Sequence, residues 1–375
     1  MRLLAIIRKE LRQIRRDSRT LSFIIFVPAL LLLVFGYVLS FDVKNIRTGV
    51  LDMDRSQHSR ALIRSLSGGE TFAVKTMFGR RDEINAALDN GDISAAIVVP
   101  SGFGKKIEAG ENAQIQSILD GSNSQSATLI HGYVNGFALT TSNRIVTKQL
   151  MAMGRDRMEA PVNIEPRLWY NPELKSSMFL IPGLMVFILM VTSTISTALS
   201  IVREKERGTI EQLLVSPLAA PEIIIGKTIP YVFIALASTA IILFMGDVAF
   251  DVSIKGSHAL LLLSATLFTL CALGQGILIS TITKSQQVAY TVATLSTMLP
   301  ALLLSGFIFP IRNMPYAIQI VTYAIPARYF VEVLRSILLK GVGIEAYWRE
   351  LAALGVFSFV VLAVASIRMA RVKLA

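Results

Sequence analysis

The sequence predicts an α-helical polytopic membrane protein, with six transmembrane helices and an extracytoplasmic α/β domain between helices 1 and 2. Three observations carry this prediction. Apolar residues make up 53% of the 375 residues and the mean hydropathy is +0.57, too greasy for an ordinary soluble domain. The apolar residues gather in six long runs free of Asp, Glu, Lys, Arg and His. Lys and Arg, finally, concentrate in alternate segments between those runs.

A hydrocarbon core of roughly 30 Å needs about 20 apolar residues as a helix. In lipid every backbone N–H and C=O needs an internal partner, so such runs must be helical. The six are Leu21–Phe41, Phe179–Val202, Thr228–Gly246, Ala259–Ile282, Val288–Phe309 and Leu351–Ile367, the last being the shortest. Residues 1–20 carry seven basic and two acidic groups, which predicts a cytoplasmic amino terminus. Alternation then places 203–227, the turn around Lys284 and 368–375 on the same side. These inside segments hold 15 Lys/Arg against six Asp/Glu, whereas the outside segments hold 22 against 20. Almost all of the net +11 therefore lies on one face, and topology rather than nucleic-acid binding accounts for it.

Leu21–Phe41 reads as an uncleaved anchor spanning 21–41, because Tyr37–Asp42 (YVLSFD) offers no small-residue cleavage site. Segment 42–176 is polar, with 16 basic and 15 acidic residues. Strands are predicted at Arg47–Leu51, Thr71–Met77, Ile93–Val99 and Gln114–Leu119. Helices are predicted at Ser56–Leu66, Arg80–Leu88 and Ser126–Met151. Strands separated by helices point to a small α/β domain. The last helix lines up Ile130, Val134, Phe137, Thr141 and Ile145 on one face, suited to packing on the sheet or docking on a partner. Pro161, Pro166 and Pro172 keep the return to the bilayer extended, and Trp169 and Trp348 mark the outer headgroup zone.

The remaining five helices fill 177–375. Asn313–Ala327 is uncharged but carries Pro315 and Pro326 and is too short to span, which predicts an outer-leaflet or re-entrant segment over 310–327. The inside loop 203–227 reads REKERGTIEQLLVSPLAAPEIIIGK. Gly208 allows a turn, and Thr209 with Gln212 fits a capping box. Ile210, Leu213 and Leu214 then line one face until Pro217 stops the helix. Such a short amphipathic helix suits the headgroup layer or a groove on a protein partner; its four Glu residues favour the partner.

No catalytic or metal site is predicted. His58, His131 and His258 are scattered, and Cys271 is the single cysteine. Gly226-Lys227-Thr228 imitates a phosphate loop, but position 221, where the first glycine belongs, is proline. Lys227 reads instead as an inside-boundary anchor. The runs hold no ionisable group of the kind an ion-coupled carrier places within its spans. Gln275 is the notable polar residue within a run, either bonding between helices or lining a path. Arg328, Glu332 and Arg335 are spaced to pair on one helix.

The loop pattern R-E-x-E-x-G-T-I-E-Q-L-L-x-S-P-L, followed by Gly226-Lys227, resembles the loop after the second span in ABC-2-type transporter permeases. Gly274–Tyr290 (GQGILISTITKSQQVAY), Leu302–Pro315 (LLLSGFIFPIRNMP) and Ile325–Gly343 (IPARYFVEVLRSILLKGVG) resemble that family in the same order. The resemblance is closest over 175–345. It implies a membrane subunit of a bacterial multidrug or antibiotic-type exporter in the inner membrane, with both termini cytoplasmic. It implies no cofactor on this chain, with ATP and Mg on a separate cytoplasmic ABC ATPase. It also implies a second permease copy, identical or similar, with a periplasmic adaptor and membrane lipids as further partners. The docking residues it implies are Glu204, Arg207, Gly208, Thr209, Glu211 and Leu214. Gly306, Pro310, Pro315 and Pro326 would shape an outer gate. A membrane-anchored binding or scaffold protein is the alternative, followed by an ion-coupled carrier; deletion of 205–217 leaves a scaffold unaffected.

Overall fold

Strand-forming segments of alternating polarity separated by amphipathic helices fold into one of two units, residues 41–167; residues 1–40 and 168–375 form the other. The computed structural model describes residues 2–16, 18–38, 45–69, 71–152, 169–171, 175–208 and 220–374. In the first of these units β1 (Ile46–Asp52) is followed by α3 (Gln57–Ser67), β2 (Phe72–Phe78), α4 (Arg81–Asp89) and β3 (Ala95–Val99). Then come α5 (Phe103–Glu108), β4 (Gln116–Leu119) and α6 (Ser124–Ala152). The sheet order is β2-β1-β3-β4, parallel except for β4 against β3. All five residues of β3 are buried, as expected of a strand covered on both faces. Strand alternation divides the core. Val50, Ala95 and Ile97 pack with Leu66 of α3 and with Ile130 and Val134 of α6. Leu51, Ala96 and Val98 pack with Ile84 of α4. The amphipathic face read from α6 thus packs on the sheet through its first half. Helix α5 was not foreseen; its six residues are too few to show a period.

The other unit is helical: α1 (Arg2–Arg16), α2 (Ser18–Val38), α7 (Ser176–Glu206), α8 (Ala220–Phe250), α9 (His258–Ile282), α10 (Gln286–Leu303), α11 (Tyr316–Thr322), α12 (Pro326–Arg335) and α13 (Trp348–Leu374). Among the described residues four helices are long and apolar enough to cross a membrane: Ser176–Glu206, Glu222–Phe250, His258–Ile282 and Trp348–Ala370. The first apolar run yields a shorter apolar stretch, Ile24–Val38. The run Val288–Phe309 is helical only to Leu303, and the helix that holds it opens with Gln286 and Gln287, which dilute its hydropathy. The segment expected to be re-entrant is helix α11, joined to α12 and its π-helical extension Ser336–Lys340 with a bend of 86°. That pair is long and apolar enough to count as one broken span or as a re-entrant loop.

Helices α7 and α9 form the centre. A Cβ on Gly276 would lie 2.6 Å from the Thr194 carbonyl oxygen, and one on Gly274 would lie 2.8 Å from Val361 Cγ1. Glycines two apart therefore let α9 approach α7 with one side and α13 with the other, the small-residue packing that membrane helices use.

Candidate functional site

Helix α1 has two faces. Ile6 and Glu10 are buried, while Arg8, Arg12, Arg15 and Arg16 are exposed. Ile6 packs against Gly226 of α8, where a Cβ would come within 2.8 Å of the isoleucine side chain. That seat carries Glu10 into contact with Lys227, whose Nζ lies 3.1 Å from Glu10 Oε1 and 2.5 Å from Glu204 Oε2. Lys9 closes the cluster, 2.8 Å from Glu204 Oε1 and 3.1 Å from Glu10 Oε1. The side chains of Glu10, Glu204 and Lys227 are 1%, 5% and 4% exposed, and that of Lys9 is 44% exposed. Two carboxylates and two ammoniums balance, and each carboxylate meets both cations. This arrangement offsets the several kcal/mol per ion that burial costs. Burial works to lower the Lys9 pKa, but the hydrogen bond to Glu204 and the charges of Glu10 and Glu204 outweigh it and raise it.

The neighbours of Glu204 reach other helix ends. Lys205 donates to the carbonyl of Ser280, and at 3.4 Å to that of Thr283, at the end of α9. Glu206 accepts from the Gln286 backbone N–H at 2.7 Å and from its side-chain amide, placing negative charge at the N-terminus of α10. Arg203 Nε meets Gln286 Oε1 at 3.4 Å. Four consecutive charges thus join the end of α7 to α1, α8, α9 and α10. Arg207 caps α7, and Gly208, at φ +68°, turns the chain out of it.

Several expectations need correction. Glu204, expected on a docking surface, is buried and shared between Lys9 and Lys227, so its carboxylate is committed within the chain. Lys227, read as an inside-boundary anchor, is buried at the centre of the cluster. Arg207 and Gly208 are exposed. Thr209, Glu211 and Leu214 lie outside the described residues. Gln275 is half-buried between the two packing glycines, and its side chain makes no hydrogen bond among the described residues.

At the other end of α7, Gly306 turns with φ +82° after α10. Pro310 precedes a 3₁₀ turn, Pro315 precedes α11, and Pro326 is the first residue of α12. Arg335 braces this turn. It donates to the carbonyls of Gly306 and Phe179 at 3.0 Å and of Phe307 at 3.3 Å, with its guanidinium 3.9 Å from the centre of the Phe179 ring. The ion pairs expected along α12 are replaced. Glu332 lies 3.5 Å from Lys340, and Arg328 stacks 3.8 Å from the Tyr323 ring centre while donating to the Thr322 hydroxyl. Backbone carbonyls freed by the turn compete for the arginine, which helical spacing alone does not reveal. Among the described residues no group of three or more His, Cys, Asp or Glu could hold a metal.

Long apolar helices tied together by charges at one end define a polytopic membrane protein. The family of ABC-2 family transporter proteins matches residues 18–367. A probable multidrug ABC transporter permease of Escherichia coli (strain K12), YbhS, is 36% identical over 334 residues, 89% of this chain and 87% of its own. YbhR of the same organism, described in the same words, is 31% identical over 352 residues, 93% of each chain. The inner membrane transport permease YhhJ is 28% identical over 350 residues, 92% of this chain and 91% of its own. The chain belongs to the ABC-2 family of transporter permeases and is a membrane subunit of an ABC transporter.

Proposed function

We propose that this permease is the membrane half of an inner-membrane exporter that works as a pair of permeases, identical or similar, on two copies of a separate cytoplasmic ATPase. The ATPase holds ATP and Mg²⁺, and this chain supplies the path. Helices α2, α7, α8, α9, α10 and α13 are its six spans, with both termini cytoplasmic. The α/β unit within 42–176 lies outside, where a periplasmic adaptor would meet it. The cargo is an amphipathic, drug-like or lipid-like compound, in keeping with the multidrug names of the relatives.

The observation that carries this reading is the ionic cluster. The segment 209–219 connects Glu204 and Lys227, which are 2.5 Å apart at their charged ends. A push on the segment is thereby shared by α7 and α8 at once, and by α1 through Lys9 and Glu10. Lys205 and Glu206 extend the push to α9 and α10. Arg207, Thr209, Glu211 and Leu214 present the docking surface, with Gly208 as its hinge. Gly306, Pro310, Pro315 and Pro326 form the gate that the tilting helices open.

Glu211→Lys and Leu214→Asp should each abolish co-purification with the ATPase while leaving membrane insertion intact. Full assembly and transport in both variants would refute the docking role.

A further inference from the structure

We propose that α1 is a docking surface for anionic phospholipid, with Arg8, Arg12, Arg15 and Arg16 on the phosphates and Leu4 and Leu11 in the acyl layer. At about 100° per residue the helix divides into three strips. Ile6 and Glu10, four residues apart, are buried, one against α8 and the other in the ionic cluster. Leu4 and Leu11, seven apart, form a second strip and are 52% and 46% exposed. Arg8, Arg12 and Arg15, with Arg16 beside them, form the third and are exposed. None of the four guanidinium groups makes a hydrogen bond or ion pair among the described residues. Glu10 is the one acidic residue of α1 and is turned into the cluster, so no carboxylate of the helix offsets the arginine strip.

The buried strip fixes the depth of the other two. Glu10 meets Lys227, which directly precedes the uncharged run Thr228–Gly246, and Lys227 also holds Glu204, two residues beyond the run Phe179–Val202. The cluster therefore stands where hydrocarbon gives way to headgroups, and it holds α1 there. Ile6 meets Gly226 and Glu10 meets Lys227, so four residues of α1, about 6 Å, advance one residue along α8. Helix α1 thus crosses α8 and does not follow it through the bilayer. In that layer a half-exposed leucine strip finds acyl chains. Arginine finds phosphate, which its planar fork binds through paired N–H bonds. Basic residues on an amphipathic helix at a bilayer surface draw anionic lipid. The topological bias of Lys and Arg needs their number near the membrane and not their alignment on one strip.

The test uses the full chain in phosphatidylethanolamine vesicles doped with a diazirine-acyl phosphatidylglycerol or the matching phosphatidylethanolamine probe, with cross-links mapped by mass spectrometry. The phosphatidylglycerol probe should label α1 in excess of its zwitterionic match, and the excess should be largest at α1. Each arginine at an anionic surface is worth about a fivefold gain in binding. Arg8→Gln with Arg12→Gln, which keeps Arg15 and Arg16 beside α2, should therefore cut the preference at α1 about 25-fold. Equal labelling of α1 by the two probes, or a preference unchanged in the double variant, overturns the proposal. If the double variant fails to insert, salt decides on the unaltered chain: about 0.5 M NaCl should remove most of the excess, and an excess that persists overturns it. The competing occupant is an acidic face of the ATPase. Displacement of the phosphatidylglycerol probe from α1 when the ATPase is added would give the arginine strip to that subunit, and overturns the proposal equally. The probe comparison is read on the permease alone, so equal labelling leaves the proposed function standing, and a failure of ATPase assembly leaves the labelling unchanged.

Discussion

Two carboxylates, Asp54 in the α/β unit and Glu204 in the helical one, do opposite work. Asp54 accepts the Gly102 and Gly104 N–H groups at 2.8 and 2.9 Å, tying the loop after β1 to the start of α5. Its partners are backbone amides at the start of α5 and the neighbouring Ser56 hydroxyl, in a partly solvated setting. Glu204 is buried, and its partners are ammoniums 195 residues before it and 23 after it. The first kind of contact fixes a fold locally and tolerates change. The second joins distant helix ends through full charges, so losing one member leaves the others stranded.

The largest expected effect breaks that contrast at its centre. Lys227→Met leaves two buried carboxylates with only half-exposed Lys9, and removing one partner of a buried charge pair costs roughly 3–5 kcal/mol. The thermal midpoint of the detergent-solubilised chain should fall accordingly. Inverting all four charges together (Lys9→Glu, Glu10→Lys, Glu204→Lys and Lys227→Glu) keeps every contact between opposite charges and should recover much of the loss. Recovery no better than in Lys227→Met would mean that shape rather than charge holds the cluster.

Lys9→Met sharpens the comparison, because this member is 44% exposed and water screens it. The expected loss is about 0–1 kcal/mol, as for surface pairs. Since its folded pKa is raised, whatever Lys9 contributes is complete below the ordinary lysine value and disappears as pH rises through the raised one. A midpoint that dropped between pH 7 and 9 on account of Lys9 would contradict this.

The smallest effect is at Asp54. The Ser56 hydroxyl first, and then the backbone amides of Gly104, Gly102 and Phe103, outweigh desolvation and hold its carboxyl below the usual value. Its contribution is therefore full above the unfolded pKa of about 3.9 and is lost as pH falls through the depressed one. Hydrogen exchange at Gly102 and Gly104 should quicken in Asp54→Asn at neutral pH, and in the unaltered chain only in acid. The rest of the sheet should keep its protection.

The two regions also differed in how far the sequence disclosed them. Strands at 46–52, 72–78, 95–99 and 116–119 fall within a few residues of two β-leaning stretches, one continuous apolar run and one alternating segment in the sequence, because local composition and turn chemistry determine them. The packing of Ile130 and Val134 followed from their helical spacing. The cluster left no such trace. Glu10, Glu204 and Lys227 each sit beside an apolar stretch, and only the requirement that charges there be balanced hinted at a pairing. Which carboxylate meets which ammonium depends on α1 lying across Gly226, a tertiary fact. The same holds for Arg335, which helical spacing assigns to Glu332 and the Gly306 turn claims instead.

The role proposed for the charges at the helix ends is to pass the ATPase's movement into the spans. ATP hydrolysis and substrate efflux are followed together in the assembled complex carrying Lys227→Met, beside the variant with all four cluster charges inverted. The Lys227→Met complex should still assemble and hydrolyse ATP but no longer move substrate, and the fourfold inversion should restore efflux. Efflux at the unaltered rate with the cluster broken would show that force enters the membrane helices by another route.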